Sequence, residues 1–252
     1  MTGHGQAPER RQGSGERDGC GTSSGHAGSD RGRGDQRGRA TDRLERAGAG
    51  GGLGRRRGGP AVSGALLWAS KSVAVSPAGG AVFVTGGDYA TVAYDPVTGA
   101  KLWASHTATN SAGSTSVAVS RDGGAVFVTG GLTVSGNEED YRTIAYGAVT
   151  GAQLWASKYD GPGNFGIAFA VAASPDGRAV FVTGESAGSG GFEYAKVAYD
   201  AVTGAQLWAR RYGGDSANAR SLVVSPDGGT VYVTGLTYGG AGDTYATIAY
   251  KG

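Results

Sequence analysis

Apolar and polar residues alternate with period two through most of the chain after residue 60, and this alternation recurs in four copies. The second copy is the clearest, with runs at 117–120, 125–129, 141–146 and 153–155. Val, Tyr, Phe and Thr dominate these runs, which favours β-strands over helices. Each copy therefore predicts up to four antiparallel strands, which we call A, B, C and D in chain order.

The copies follow one another at a regular interval, which is marked by tryptophans spaced 35, 52 and 53 residues apart. These tryptophans are Trp68, Trp103, Trp155 and Trp208. A period in this range, built from short strands and tight turns, is typical of a radial array of small sheets. The sequence thus predicts an all-β fold, a β-propeller with four blades of four antiparallel strands. The last copy, however, stops after strand C.

Residues 1–59 have a different composition from residues 60–252. The first segment contains twelve arginines but neither lysine nor an aromatic residue, whereas residues 60–252 hold every Trp, Tyr and Phe of the chain. A segment with so little apolar surface cannot offset the entropy lost on folding, so we expect 1–59 to be disordered. Arginine-glycine sequence of this kind also arises when GC-rich DNA is read in the wrong frame, so a frame shift or a misassigned start is an alternative origin.

The connections between strands differ in length at the two edges of each predicted sheet. The A–B and C–D turns are short and nearly constant, and Asp-Gly pairs such as 122–123 predict tight hairpins there. The D–A and B–C loops are longer and variable, and they gather aromatic and amide residues. Binding surfaces are often built on such loops, so the predicted contact residues are Tyr159, Asn164, Phe165, Phe192 and Tyr238.

Several short motifs suggest chemistry that their context does not favour. The Gly-Glu-Ser-Ala-Gly run at 184–188 fits an esterase nucleophile pattern, but no helix follows Ser186 and all three histidines lie upstream of it. The acidic run at 137–140 could hold calcium, although a solvated loop is the preferred interpretation. Cys20 is the only cysteine, which excludes a disulfide framework.

The segment 93–103, which reads Ala-Tyr-Asp-Pro-Val-Thr-Gly-Ala-Lys-Leu-Trp, resembles the tryptophan-docking motif of the quinoprotein-dehydrogenase-like β-propellers, the pyrroloquinoline-quinone-like repeat family. Residues 198–208 match every fixed position of that motif, and 145–155 match except for Gly147 in place of Asp. The strand B and C phrases are also similar to a related bacterial seven-bladed propeller repeat. The resemblance implies that Trp68, Trp103, Trp155 and Trp208 pack between adjacent blades.

The catalytic apparatus of this family does not carry over to the chain. Its dehydrogenases bind a quinone and calcium through acidic and amide ligands, whereas the strand A segments present Val, Ala and Ser to the central axis. We therefore expect no cofactor and no metal, and a noncatalytic scaffold or sensor that binds a protein, peptide or glycan on the D–A and B–C loops. The alternative is a degenerate or truncated quinoprotein dehydrogenase that binds pyrroloquinoline quinone.

The two ends of the repeat region suggest two further possibilities. The first recognisable motif is partial, and residues 66–69 could pair with 247–250 to complete the fourth blade. A fragment of a longer propeller is the preferred interpretation. Neither a signal peptide nor an apolar run long enough for membrane insertion is evident, and no nucleic-acid partner is expected. By family resemblance, the chain would be extracellular or periplasmic if its true N-terminus were missing.

Overall fold

The described residues fold into four consecutive antiparallel sheets. The computed structural model describes residues 70–107, 113–135, 138–213, 216–239 and 242–252. Three sheets have four strands and the last has three, and in each sheet the strands follow one another in chain order. This arrangement confirms the predicted fold class, an all-β structure of propeller blades. The expected disorder of 1–59 and the expected pairing of 66–69 lie outside the described residues.

Each blade is a meander in which every strand pairs with the next one along the chain. Blade 1 consists of β1 (Ser70–Val75), β2 (Val82–Gly86), β3 (Thr91–Tyr94) and β4 (Lys101–Ser105). Blade 2 consists of β5 (Gly113–Val119), β6 (Ala125–Ser135), β7 (Glu138–Gly147) and β8 (Gln153–Tyr159). Blade 3 consists of β9 (Gly166–Ala173), β10 (Ala179–Gly188), β11 (Gly191–Asp200) and β12 (Gln206–Tyr212). Blade 4 consists of β13 (Ala217–Val224), β14 (Thr230–Gly239) and β15 (Gly242–Lys251).

The B and C strands of blades 2 to 4 are longer than the sequence predicts. We expected a glycine-rich loop after Thr129, but β6 and β7 stay paired as far as Ser135 and Glu138. Likewise, β10 and β11 stay paired up to Gly188 and Gly191. The expectation of B–C loops is therefore wrong for these blades, because two paired strands satisfy their backbone groups even where the apolar alternation fades.

Buried side chains form three clusters, and each cluster lies between two adjacent blades. We call the side of a blade that packs against the following blade its trailing face, and the other side its leading face. In the first cluster, Phe83 and Trp103 on the trailing face of blade 1 meet Val126 and Tyr146 on the leading face of blade 2. The core is therefore a series of blade-to-blade interfaces.

Tryptophans of strand D stabilise the first two of these interfaces through hydrogen bonds and packing. The Trp103 indole N–H donates to the carbonyl of Ala148 at 2.8 Å, and that of Trp155 donates to the carbonyl of Ala201 at 3.0 Å. Both acceptors lie in the C–D turn of the next blade. Each ring also covers the glycine of that turn: a Cβ on Gly204, for example, would lie 2.7 Å from the Trp155 ring. The Thr-Gly pair of the motif thus leaves room for the tryptophan of the preceding blade.

A row of buried tyrosines in strand C or just before it crosses the same interfaces. The hydroxyl of Tyr89 donates to the carbonyl of Arg142, that of Tyr141 to Ala195, and that of Tyr194 to Ala246, at 3.0, 3.2 and 3.3 Å. In each case the acceptor residue directly follows the equivalent residue of the next blade, Tyr141, Tyr194 or Tyr245. A buried hydroxyl needs a partner, so every blade provides the acceptor that the preceding blade requires.

The two outer tryptophans differ from this pattern. Trp68 lies outside the described residues. Trp208 packs 5.9 Å from the Phe181 ring but is only half-buried. The structure describes no strand D and no C–D turn in blade 4, so Trp208 lacks the surface that covers Trp103 and Trp155. The docking role of Trp208 between two blades therefore stays a prediction.

A buried lysine occupies the third interface, where the equivalent residues of the other blades are threonines. Lys196 is 1% exposed, and its ammonium group has no hydrogen-bond partner. Its Nζ lies 4.3 Å from the Tyr250 ring centroid, 4.5 Å from that of Trp208 and 5.4 Å from that of Phe181. Burial, together with the nearby Arg210 charge, lowers the pKa of Lys196 to about 7. Aromatic faces compensate only part of the lost hydration.

Replacement of Trp155 by alanine should destabilise the fold more than the same change at Trp208. Trp155 is buried and hydrogen-bonded, so Trp155→Ala should lower the free energy of unfolding by about 3–5 kcal/mol, the range for large core aromatics. Trp208→Ala should cost less than about 2 kcal/mol, because its ring already contacts solvent. Urea unfolding followed by circular dichroism measures both values. Equal losses at the two positions would contradict this account of the interfaces.

The lysine at position 196 should make stability depend on pH. Its pKa is about 7 in the fold and 10.5 in an ordinary environment, so between these values the unfolded chain binds more protons than the native chain. Stability should therefore rise from pH 7 to pH 9, by at most about 1.4 kcal/mol per pH unit. Lys196→Met should remove this rise, whereas Lys101→Met at an exposed position should keep it. Thermal unfolding across this pH range provides the test, and an unchanged slope in Lys196→Met would contradict it.

Candidate functional site

The B–C hairpins and the D–A loops lie along one edge of the sheets, which we call the hairpin edge. Four of the five predicted contact residues lie together there, around the tip of blade 3. Phe192 is the second residue of β11, the return strand of the β10–β11 hairpin, and Asn164 and Phe165 end the loop that joins β8 to β9. Tyr159 is the last residue of β8. The structure thus brings two blades together at the predicted surface.

The loop at 160–165 folds over the tip of the β10–β11 hairpin. The backbone N–H of Ala187 donates to the carbonyl of Phe165 at 2.8 Å. The rings of Phe165 and Phe192 meet edge to face, with centroids 5.4 Å apart. Gly161 lies so close to Ser186 that a Cβ there would clash with the serine hydroxyl. Close backbone contact therefore fixes this aromatic pair, and Phe192 stays 37% exposed.

Asn164 and Tyr159 flank the aromatic pair in different ways. Asn164 is exposed and has a left-handed backbone with φ of 54°, and its amide donates to Glu138 Oε1 at 3.4 Å. Asparagine is one of the few residues other than glycine that adopt this conformation readily. Tyr159 is half-buried, and its ring packs edge to face on that of Tyr141 at 5.4 Å. Asn164 is thus available for contact, whereas Tyr159 mainly supports the interface beneath.

Tyr238 lies on the hairpin of blade 4, away from this group. Its backbone N–H donates to the carbonyl of Ser216 at 2.7 Å, and its side chain is 36% exposed. None of the ring contacts found among the described residues joins it to Phe165 or Phe192. The structure therefore does not place Tyr238 in the same cluster as the other four predicted residues.

Three ion pairs lie at the hairpin edge, and no motif or spacing in the sequence predicted them. Lys158 lies 2.9 Å from Asp140 and 3.4 Å from Asp160. Arg211 lies 3.0 Å from Glu193 and also donates to the carbonyl of Ala187 at 2.8 Å. Asp140 and Lys158 lie on paired strands, as do Glu193 and Arg211, so strand pairing brings these charges together.

Residues 138–140 of the acidic run lie in a strand and not in the solvated loop that we expected, while residue 137 lies outside the described residues. Glu138–Gly147 forms strand β7, and Asp140 is buried against Lys158. Burial raises the pKa of Asp140, which the Lys158 hydrogen bond opposes. Within the part of the chain that the structure describes, no three His, Cys, Asp or Glu side chains form a group that could hold a metal ion.

The Ser186 motif lies in strand β10, which continues into a hairpin and not into a helix. Ser186 is fully buried, and its hydroxyl lies beneath Gly161. A nucleophilic serine has to reach its substrate and sits at a strand-to-helix turn, whereas Ser186 is buried and a hairpin follows it. No helix among the described residues is long and apolar enough to cross a membrane.

The opposite edge of the sheets, formed by the A–B and C–D turns, carries a large open groove. It has a volume of about 860 Å³ and lies between blades 2 and 3, next to Asp122, Leu154, Asp176 and Val202. The aspartates of this groove are used within their own turns: Asp122 accepts hydrogen bonds from Ser120 and from the N–H of Gly124. The groove is thus a wide surface depression formed by turns that the repeat itself requires.

Comparisons with known proteins place this architecture in a family. The family model described as outer membrane protein assembly factor BamB matches residues 60–191 and, in a second match, residues 139–249. A comparison with curated protein sequences found no match. Together the two family matches span the repeat region that the strands define.

Solved structures also resemble the chain. The crystal structure of BamB from Moraxella catarrhalis is 18% identical over 66% of this chain and 47% of that one, with a TM-score of 0.46. The structure of U3-55K is 11% identical over 72% of this chain and 51% of that one, with a TM-score of 0.50. The chain thus spans about half the length of each. With the family match over most of its length, the chain belongs to the BamB-like family of pyrroloquinoline-quinone-like propeller repeats.

Proposed function

We propose that this propeller is a noncatalytic interaction scaffold that binds a protein, peptide or glycan partner at the hairpin edge. The observation that carries the proposal is the aromatic pair of the exposed Phe192 and the half-buried Phe165, which two backbone elements hold in place. Aromatic residues contribute much of the binding energy at recognition surfaces, particularly where their frame is rigid. The loop at 160–165 and the β10–β11 hairpin supply that frame.

The polar groups around the aromatic pair supply the rest of a recognition surface. Asn164 presents an exposed amide, and the Arg211–Glu193 pair lies on the other side of the hairpin. A polar rim around an apolar centre is the usual composition of such a surface. A partner with one apolar or aromatic group flanked by hydrogen-bonding groups suits this arrangement. A protein partner also accords with the membership of an outer membrane protein assembly factor in the same family.

Substitution of Phe192 in the aromatic pair should weaken partner binding without unfolding the protein. Ligands would be selected from a displayed peptide library and a glycan array with the full chain, and their affinities measured by calorimetry. Phe192→Ala should weaken binding by at least about tenfold, because a central aromatic contact is worth more than about 1 kcal/mol. The control is Leu154→Ala, an exposed change in the groove at the opposite edge.

Two outcomes would contradict the proposal. The first is that the selected ligands bind Phe192→Ala and the wild-type chain equally well. The second is calcium-dependent binding of pyrroloquinoline quinone with dye-linked alcohol oxidation, which would favour the quinoprotein alternative.

A further inference from the structure

Strands A to C of blade 4 repeat the trailing-face positions that blades 1 to 3 bury, although the structure describes no strand D in blade 4 and therefore no docking tryptophan there. Tyr245 corresponds to Tyr89, Tyr141 and Tyr194, each at most 1% exposed, yet Tyr245 is 81% exposed. Tyr232 corresponds to Phe83, Phe127 and Phe181, which are at most 2% exposed, but is itself 43% exposed. Ala249 is exposed as well, although its counterparts are fully buried. Among the residues that the structure describes, none covers this face of blade 4.

The leading face of blade 1 shows the complementary feature. Val73 corresponds to Val117, Val171 and Leu222, which are 7–8% exposed, but Val73 is 63% exposed. Val75 is 58% exposed, and Val82 and Val84 are partly exposed where their counterparts are fully buried. In each of the three packed interfaces, this is the surface that receives the trailing face of the preceding blade.

From these two faces we infer that the chain binds a second copy of itself head to tail, with blade 4 of one copy packed on blade 1 of the other. A second copy is the partner that we infer, because the same pair of surfaces already meets three times within one chain. The tyrosine hydrogen bond that crosses each interface predicts the register between the two copies. The counterpart of Arg142, Ala195 and Ala246 is Ala90, whose carbonyl is the acceptor for the Tyr245 hydroxyl of the other copy.

Hydrophobic burial supplies the driving force for this contact. Val223, Tyr232 and Tyr245 from one copy would meet Val73 and Val75 from the other, and all five are exposed in the single chain. A contiguous exposed apolar surface of this kind marks an interaction site. The contact joins the blade 4 face of one copy to the blade 1 face of the other, so each copy keeps one of its two faces free. In a closed ring of copies, these remaining faces also pair.

The test uses the full chain in reducing buffer, so that Cys20 cannot link two copies. Light scattering after size exclusion should give a mass of at least two chains, where one chain is 25.1 kDa. Tyr245→Glu and Val73→Glu should each yield monomers, because burying an unpaired charge should raise the apparent Kd by at least about 100-fold. Val97→Glu, at a turn position that is 91% exposed, is the matched control and should keep the assembly.

Mixing the two variants separates head-to-tail pairing from any other contact. Tyr245→Glu keeps an intact blade 1 face, and Val73→Glu keeps an intact blade 4 face, so an equimolar mixture should form a 1:1 complex of about 50 kDa, twice the mass of one chain. A monomeric wild-type chain would overturn the inference. So would an assembly that survives either substitution, or monomeric variants that fail to combine when mixed.

Discussion

Every blade depends on the next one to cover its aromatic face. A single sheet with apolar residues on both sides has no core of its own, and its buried tyrosine hydroxyl would lack an acceptor. The neighbouring blade supplies the missing acceptors, because its carbonyls accept hydrogen bonds from the hydroxyls of Tyr89, Tyr141 and Tyr194. It also covers the apolar face, because its C–D turn packs against Trp103 or Trp155 of the preceding blade. Stability is therefore a sum over neighbouring pairs, as in other repeat proteins.

Because each blade packs on the next one, the C–D turns of the repeat are nearly constant while the connections at the hairpin edge vary. The C–D turn has to hold its shape, because the tryptophan of the preceding blade rests on its glycine. In blades 1 and 3 an aspartate stiffens the turn, and Asp200 accepts hydrogen bonds from the N–H groups of Val202 and Thr203. The same bonds lower the pKa of Asp200. The hairpin edge carries no such constraint, so its hairpins and loops are free to differ in length and side chains.

The third interface departs from the first two in a way that joins packing to electrostatics. Thr91 and Thr143 are buried and hydrogen-bonded to threonines of strand B, whereas Lys196 places an amine in the same position. Three aromatic rings surround that amine without a hydrogen bond. The half-buried Trp208 is one of these rings. Trp103 and Trp155 pack on the C–D turn of the next blade, whereas Trp208 packs on the amine of Lys196. The interface between blades 3 and 4 is consequently more polar than its equivalents.

The sequence by itself determined the strands, the repeat and the family. Period-two alternation, Asp-Gly turns and the Thr-Gly-Trp spacing are local signals, and local backbone preferences suffice to interpret them. It also predicted Asn164, Phe165 and Phe192 as contact residues, because polar and aromatic residues in a connection of variable length are evident in the sequence. The strand extensions beyond Thr129 and Thr183 were missed, since cross-strand hydrogen bonds and not side-chain alternation hold them.

Only the tertiary structure decided which equivalent residues are buried. Tyr194 and Tyr245 occupy the same position of the repeat, and nothing in their local sequence separates a fully buried ring from an exposed one. The difference arises because blade 4 covers the first, while no described blade covers the second. Lys196 is buried for the same reason, and Tyr238 lies apart from the Phe165–Phe192 pair because it belongs to another blade. Burial and proximity depend on neighbours distant in the chain, which a period in the sequence cannot specify.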